Sequence, residues 1–115
     1  MYQRTIEELQ KDEREKVIID IRREADFLRE TYPGAKHIYW EEFEAHKDEV
    51  PKDCPVYLIC YTGERSDELA RELFRRFLGY TLYLLGIVAL RHHADQRLRT
   101  GRTRDQPSAV AYLLL

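Results

Sequence analysis

Cys60 ends the apolar run Val56-Tyr57-Leu58-Ile59-Cys60 and is followed by Tyr61-Thr62-Gly63-Glu64-Arg65-Ser66 and then by a strongly helical stretch. A strand that hands a thiol to a short glycine-containing loop, which in turn opens a helix, is an arrangement for a nucleophilic thiolate. The N–H groups of the first helical turn and the positive end of the helix dipole favour negative charge at that spot. They lower a cysteine pKa from about 8.5 into the range of roughly 3.5 to 7.5. The bland alternative is a strand-end cysteine behaving as a small apolar residue, the commoner fate of cysteines. The Gly63-Glu64-Arg65-Ser66 continuation weighs against it.

Spacing narrows the chemistry. The segment reads C-x4-R-S, because Arg65 lies five positions after Cys60. A cysteine phosphatase needs C-x5-R to wrap its amides around a tetrahedral phosphate, so the shorter loop disfavours a phosphatase or an arsenate reductase. A tighter cradle suits one extra sulfur atom on the cysteine.

The segment Cys60-Tyr61-Thr62-Gly63-Glu64-Arg65-Ser66, together with Val17-Ile18-Ile19-Asp20-Ile21-Arg22 and Tyr32-Pro33-Gly34-Ala35-Lys36-His37-Ile38, resembles single-domain rhodaneses, the thiosulfate sulfurtransferase family. The resemblance runs from about Thr5 to Leu85. It implies a three-layer α/β/α fold with a central, mostly parallel sheet of about five strands. It also implies a sulfurtransferase that moves a sulfane sulfur from thiosulfate or a persulfide to cyanide, a thiol or a protein sulfur carrier through a Cys60 persulfide. No metal or organic cofactor is needed for this.

In that reading Cys60 is the catalytic residue and Tyr61, Thr62, Gly63, Glu64, Arg65 and Ser66 form the substrate-binding loop. Arg65 meets the loop carbonyls or an anionic donor, and Ser66 caps the following helix and supports the sulfur. Asp20 and Arg22 match the family's Asp-x-Arg and are expected to support the site structurally; the alternative is an exposed ion pair of little weight. The family usually continues after the last strand with two adjacent glycines and an aromatic-bearing helix. Here Gly86-Ile87-Val88 replaces that pattern. The departure keeps a second function in play, a non-catalytic rhodanese-like interaction or regulatory module.

The elements that must position the thiol are readable. Thr5 and Glu8 have the form of a capping box ahead of Ile6 and Leu9. Val17-Ile18-Ile19 reads as a strand buried on both faces. Ala25 to Glu30 reads as a short helix stopped by Tyr32-Pro33-Gly34, His37 to Trp40 as a short strand, and Glu41 to His46 as a helix anchored by Phe43. After the loop, Leu69, Ala70, Leu73, Phe74 and Phe77 share one helical face, with Ser66 as N-cap and Gly79 as an αL C-cap. Thr81 to Leu85 is the last strand.

At 115 residues, 43% apolar and 35% charged, the chain is expected to be a soluble globular protein with one core. Residues 1–90 are expected to form the rhodanese-like domain. Residues 86–115 hold five arginines against two aspartates, while residues 1–85 hold 14 basic against 19 acidic residues. The Arg-rich tail, 91–115, is expected to be partly disordered. It lacks interleaved aromatics, so no nucleic acid is expected, and Leu113-Leu114-Leu115 is too short for a membrane. His92, His93 and Asp95 lack a complementary ligand pair for a metal, and His37 and His46 have no partner in sequence.

Cys54 and Cys60, roughly 20 Å apart along one strand, are beyond disulfide reach. A start without a signal-peptide core points to a reducing cytoplasm. Glu64, Asp67 and Glu68 surround Arg65 in sequence and are expected to oppose the approach of small anions.

Overall fold

β3, Pro55–Cys60, is buried at every position and sits inside the sheet rather than at its edge. A computed structural model describes residues 3–61 and 64–87, with the backbone alone at 64–67, 69 and 70. The sequence readings for Thr62, Gly63, His92, His93, Asp95 and the tail 91–115 lie outside the described residues.

The element order is α1 (Ile6–Lys11), β1 (Val17–Asp20), α2 (Glu24–Arg29), β2 (Lys36–His37), β3, α3 (Glu64–Arg76) and β4 (Thr81–Gly86), with two 3₁₀ turns, Trp40–Glu42 and Lys47–Glu49, before β3. The strands run in the order β2-β1-β3-β4 and all pair in parallel, as strands joined by helical crossovers do. Among the described residues the sheet has four strands, where about five were expected. Gln3 adds one isolated parallel bridge to Leu84 on the outer edge of β4, and the Arg4 N–H donates to the Leu84 carbonyl at 2.9 Å.

Alternation along the strands builds two cores. Ile19, Val56, Leu58, Leu82 and Leu84 pack with Phe43, Val50, Leu73 and Phe77 on one face. Tyr57, Ile59 and Leu85 pack with Ile6 and Leu9 of α1 on the other. Complete burial of both faces explains why β3 reads as an uninterrupted apolar run. The Thr5–Glu8 capping box is present, with the Thr5 N–H donating to Glu8 at 3.0 Å and the Glu8 N–H to the Thr5 hydroxyl at 3.1 Å. The bond from the Thr5 N–H is the main reason the Glu8 carboxyl sits below its ordinary pKa.

Three local expectations change. The strand expected over His37 to Trp40 is Lys36–His37, because the chain turns into a 3₁₀ helix at Trp40. Pairing nonetheless continues through the Ile38 N–H to the Asp20 carbonyl and the Trp40 N–H to the Ile21 carbonyl, both at 3.1 Å. The helix expected over Glu41 to His46 is instead the end of the 3₁₀ helix Trp40–Glu42 followed by a turn over 43–46, although Phe43 is the anchor expected of it, fully buried and edge-on to Phe77 at 5.0 Å. Finally, α3 begins at Glu64, so Ser66 lies inside its first turn and is not its N-cap. Gly79 takes φ +88° just beyond the helix, the left-handed conformation expected of it.

Candidate active site

Three strand ends meet at the carboxyl edge of the sheet, where open parallel sheets carry their functional loops. Asp20 ends β1 beside Ile59, and Cys60 ends β3 beside Gly86 of β4. The Cys60 side chain points to the face covered by Leu73 and Phe77 of α3 and is only 3% exposed. Its sulfur lies 3.8 Å from the Leu85 carbonyl oxygen, a weak hydrogen bond in the thiol form. Both cysteines are thiols, as their separation required.

Only Thr62 and Gly63 separate Tyr61 from α3. Glu64, Arg65 and Ser66 therefore belong to the first turn of a helix, where N–H groups have no intrahelical acceptor. Tyr61, the first residue of the proposed loop, is exposed, and its hydroxyl donates to Asp26 of α2. Partial burial, then this carboxylate, raise the Tyr61 pKa above its ordinary value.

Asp20 and Arg22 do not form the exposed pair weighed as the alternative. Both are buried, and they meet through two parallel bonds, Nε to Oδ1 at 3.0 Å and Nη2 to Oδ2 at 2.8 Å. The Thr31 hydroxyl also donates to Asp20 at 2.8 Å, and Arg22 donates to the Glu30 carbonyl at 2.6 Å. His37, given no role from sequence, donates through Nε2 to the Arg22 carbonyl at 2.6 Å and stacks on Phe27. The two buried charges of this corner are thus paired, which is what allows them to be buried.

A cavity of about 760 Å³ opens over Cys60. Its walls come from Ile21, Arg22 and Arg23 after β1, from Tyr39, Trp40, Glu41 and Glu44 of the following segment, and from Glu68, Glu72, Leu73, Arg76 and Phe77 of α3. Arg76 bridges two of the carboxylates, Glu44 at 3.0 Å and Glu72 at 2.8 Å. The sequence reading placed Cys60, Tyr61, Arg22 and Glu68 here or nearby and missed Tyr39, Trp40, Glu41, Glu44, Glu72, Arg76 and the Asp26 partner of Tyr61. The i, i+4 spacing of Glu68, Glu72 and Arg76 was the available signal for α3. No spacing rule connects Glu41 and Glu44 to that helix.

Among curated proteins the chain is 41% identical over 69 residues to a tRNA sulfurtransferase of Desulfurococcus amylolyticus, a match covering 60% of this chain and 13% of that protein. It is 32% identical over 56 residues to the putative sulfur carrier protein YrkF of Bacillus subtilis, covering 49% of this chain and 30% of that one. The chain therefore spans less than a third of the length of either relative. Among solved structures, a rhodanese-like domain protein from Staphylococcus aureus superposes with a TM-score of 0.67 at 22% identity, covering 87% of this chain and 98% of that one. A thiosulfate sulfurtransferase from Pseudomonas aeruginosa gives the same score and identity over 89% of this chain and 21% of its own. At such identity these likenesses establish the fold. The family model for the rhodanese-like domain matches residues 3–90, and with that span this chain belongs to the rhodanese-like domain family.

Proposed function

We propose that this domain is a sulfurtransferase in which Cys60 carries the sulfur. The observation that carries the reading is the position of the Cys60 thiol, at the carboxyl end of a central parallel strand, beneath a cavity and four positions before the first residue of α3. In the first step the Cys60 thiolate attacks the outer sulfur of thiosulfate or of a persulfide. The new S–S bond forms as the donor's S–S bond breaks, and the donor leaves with the electron pair as sulfite or a thiolate. In the second step an acceptor thiolate, or cyanide, attacks the outer sulfur of the Cys60 persulfide, and Cys60 departs as thiolate.

The chain's own contribution is electrostatic and positional. The N–H groups from Tyr61 to Ser66 stabilise negative charge on sulfur in both forms, and Arg65 meets an anionic donor. The buried Asp20–Arg22 pair holds the neighbouring strand end. Thiosulfate, persulfides, thiols and a protein sulfur carrier are the partners of this reading, and a reducing cytoplasm that keeps Cys54 and Cys60 as thiols is its natural compartment.

The test is an intact mass after incubation with thiosulfate, then after cyanide. Gain and loss of one sulfur atom on Cys60 supports the enzyme. An unchanged mass with every persulfide donor supports the non-catalytic module, the reading that the replacement of the second family glycine by the buried Ile87 would favour.

A further inference from the structure

The cavity over Cys60 is much larger than a thiosulfate ion needs. Its volume of about 760 Å³ lies in the range of roughly 300–1,000 Å³ that holds an organic ligand. Its walls are also unequal in charge. Arg22 is matched by the buried Asp20, and Arg76 is shared between Glu44 and Glu72. Among the described residues no cation pairs with Glu41 or Glu68, and Arg23 is the remaining basic lining residue. Glu41 and Glu68 both line the cavity, one from the segment after β2 and one from α3, and Glu68 stands one turn into the helix that follows the Cys60 loop. Trp40, beside Glu41, is a half-buried lining residue of the type whose ring attracts cations.

We infer that this site selects a sulfur acceptor carrying positive charge beside its thiol, and that Glu41 and Glu68 set the preference. The inference rests on the sulfurtransferase reading above and names its acceptor class. Two exposed carboxylates lining the cavity over the buried Cys60 sulfur attract an ammonium group and repel a carboxylate or sulfonate. The acceptor thiolate attacks the outer sulfur, the Cys60 S–S bond breaks, and the electron pair returns to Cys60. The persulfide reacts in its protonated form, Cys60–S–SH, so the outer sulfur carries its proton into the product, the acceptor's persulfide, and Cys60 is left as thiolate.

The experiment uses the Cys54→Ser protein loaded with sulfur and three acceptors of like chemistry: cysteamine, 2-mercaptoethanol and 3-mercaptopropionate. Rates are compared per thiolate. The expected order is cation, neutral, anion, with at least about a fivefold span that shrinks as ionic strength rises. Glu41→Gln and Glu68→Gln, singly and together, should compress that span. A tripeptide with cysteine between two lysines distinguishes a basic protein segment, if it outruns cysteamine, from a small aminothiol, if it does not. A span near one in the starting protein, or a span that both Gln substitutions leave intact, overturns the inference.

A parallel measurement needs no sulfur transfer: the rates at which cationic and anionic methanethiosulfonate reagents modify Cys60. If the protein never takes up sulfur yet reacts faster with the cation, the sulfurtransferase reading falls and the charge selection stands. If it takes up sulfur and shows no charge preference by either method, the reverse holds.

Discussion

The Tyr61 hydroxyl donates to the carboxylate of Asp26, joining the residue after the thiol to a helix 35 positions earlier in the chain. Asp26 is itself held by Arg29 at 2.6 Å, and its helix is pinned at its end by the buried Arg22, which donates to the Glu30 carbonyl. The loop that would cradle a persulfide thus starts from a fixed point. Tyr61→Phe removes the hydroxyl and keeps the ring. A hydrogen bond of about 1 kcal/mol predicts about a fivefold slower sulfur uptake, read by mass against time, with little change in melting temperature. Unchanged uptake would reduce the contact to surface decoration.

Cys60→Ser is expected to abolish both sulfur uptake from thiosulfate and its release to cyanide, because a serine hydroxyl does not ionise in this setting. Cys54→Ser is expected to change neither. Cys54 lies before β3, and burial together with Asp53 and Glu15 pushes its pKa up, away from nucleophilic character. Uptake that survives Cys60→Ser would remove the basis of the enzyme reading.

Arg65→Ala should raise the Cys60 pKa and weaken the use of anionic donors, since the loop loses its nearest fixed positive charge in sequence. Thiolate absorbance titrated in both proteins checks the first effect, and kcat/KM for thiosulfate the second. Coincident titrations and kinetics would return Arg65 to an ordinary surface cation.

Breaking the Asp20–Arg22 pair from one side strands a buried charge. Arg22→Met should lower unfolding stability by about 3–5 kcal/mol, measured by urea denaturation. Asp20→Asn, which keeps the shape and loses the charge, should be destabilising by the same mechanism. A loss under about 1 kcal/mol in both would mean that the pair is worth no more than an exposed one.

Strong acid should weaken the α1 side of the sheet. Asp12 accepts from Arg14 at 2.8 Å and from the Tyr57 hydroxyl at 2.6 Å, and these bonds hold its carboxyl well below the usual carboxylate range. A depressed folded pKa contributes stability that is complete above the unfolded value of 3.8 and fades as pH falls through the folded one. Asp12→Asn should therefore flatten the pH dependence of stability below about pH 4, a prediction that unfolding curves at several acidic pH values decide. The same bond, after burial, pushes Tyr57 up to about 12, so its hydroxyl remains a donor at alkaline pH.

Much of the fold was written in local patterns. The Thr5–Glu8 capping box, the two-faced apolar run of β3, the Leu73 and Phe77 face of α3, and Gly79 with its positive φ all depend on neighbours within a few residues or on whether a position is apolar. The position of Cys60 at a strand end before a helix is of this kind, which is why the candidate nucleophile was legible. Tertiary structure alone decided the rest. The sheet order β2-β1-β3-β4 departs from chain order, and that order buries Asp20 against Arg22 and brings Tyr61 to Asp26. It also brings Glu41 and Glu44 to the same cavity as Glu68 and Glu72, with Arg76 joining Glu44 to Glu72. A polar side chain's role depends on what surrounds it in space, and its own spacing in the chain carries no record of a partner delivered by a distant crossover.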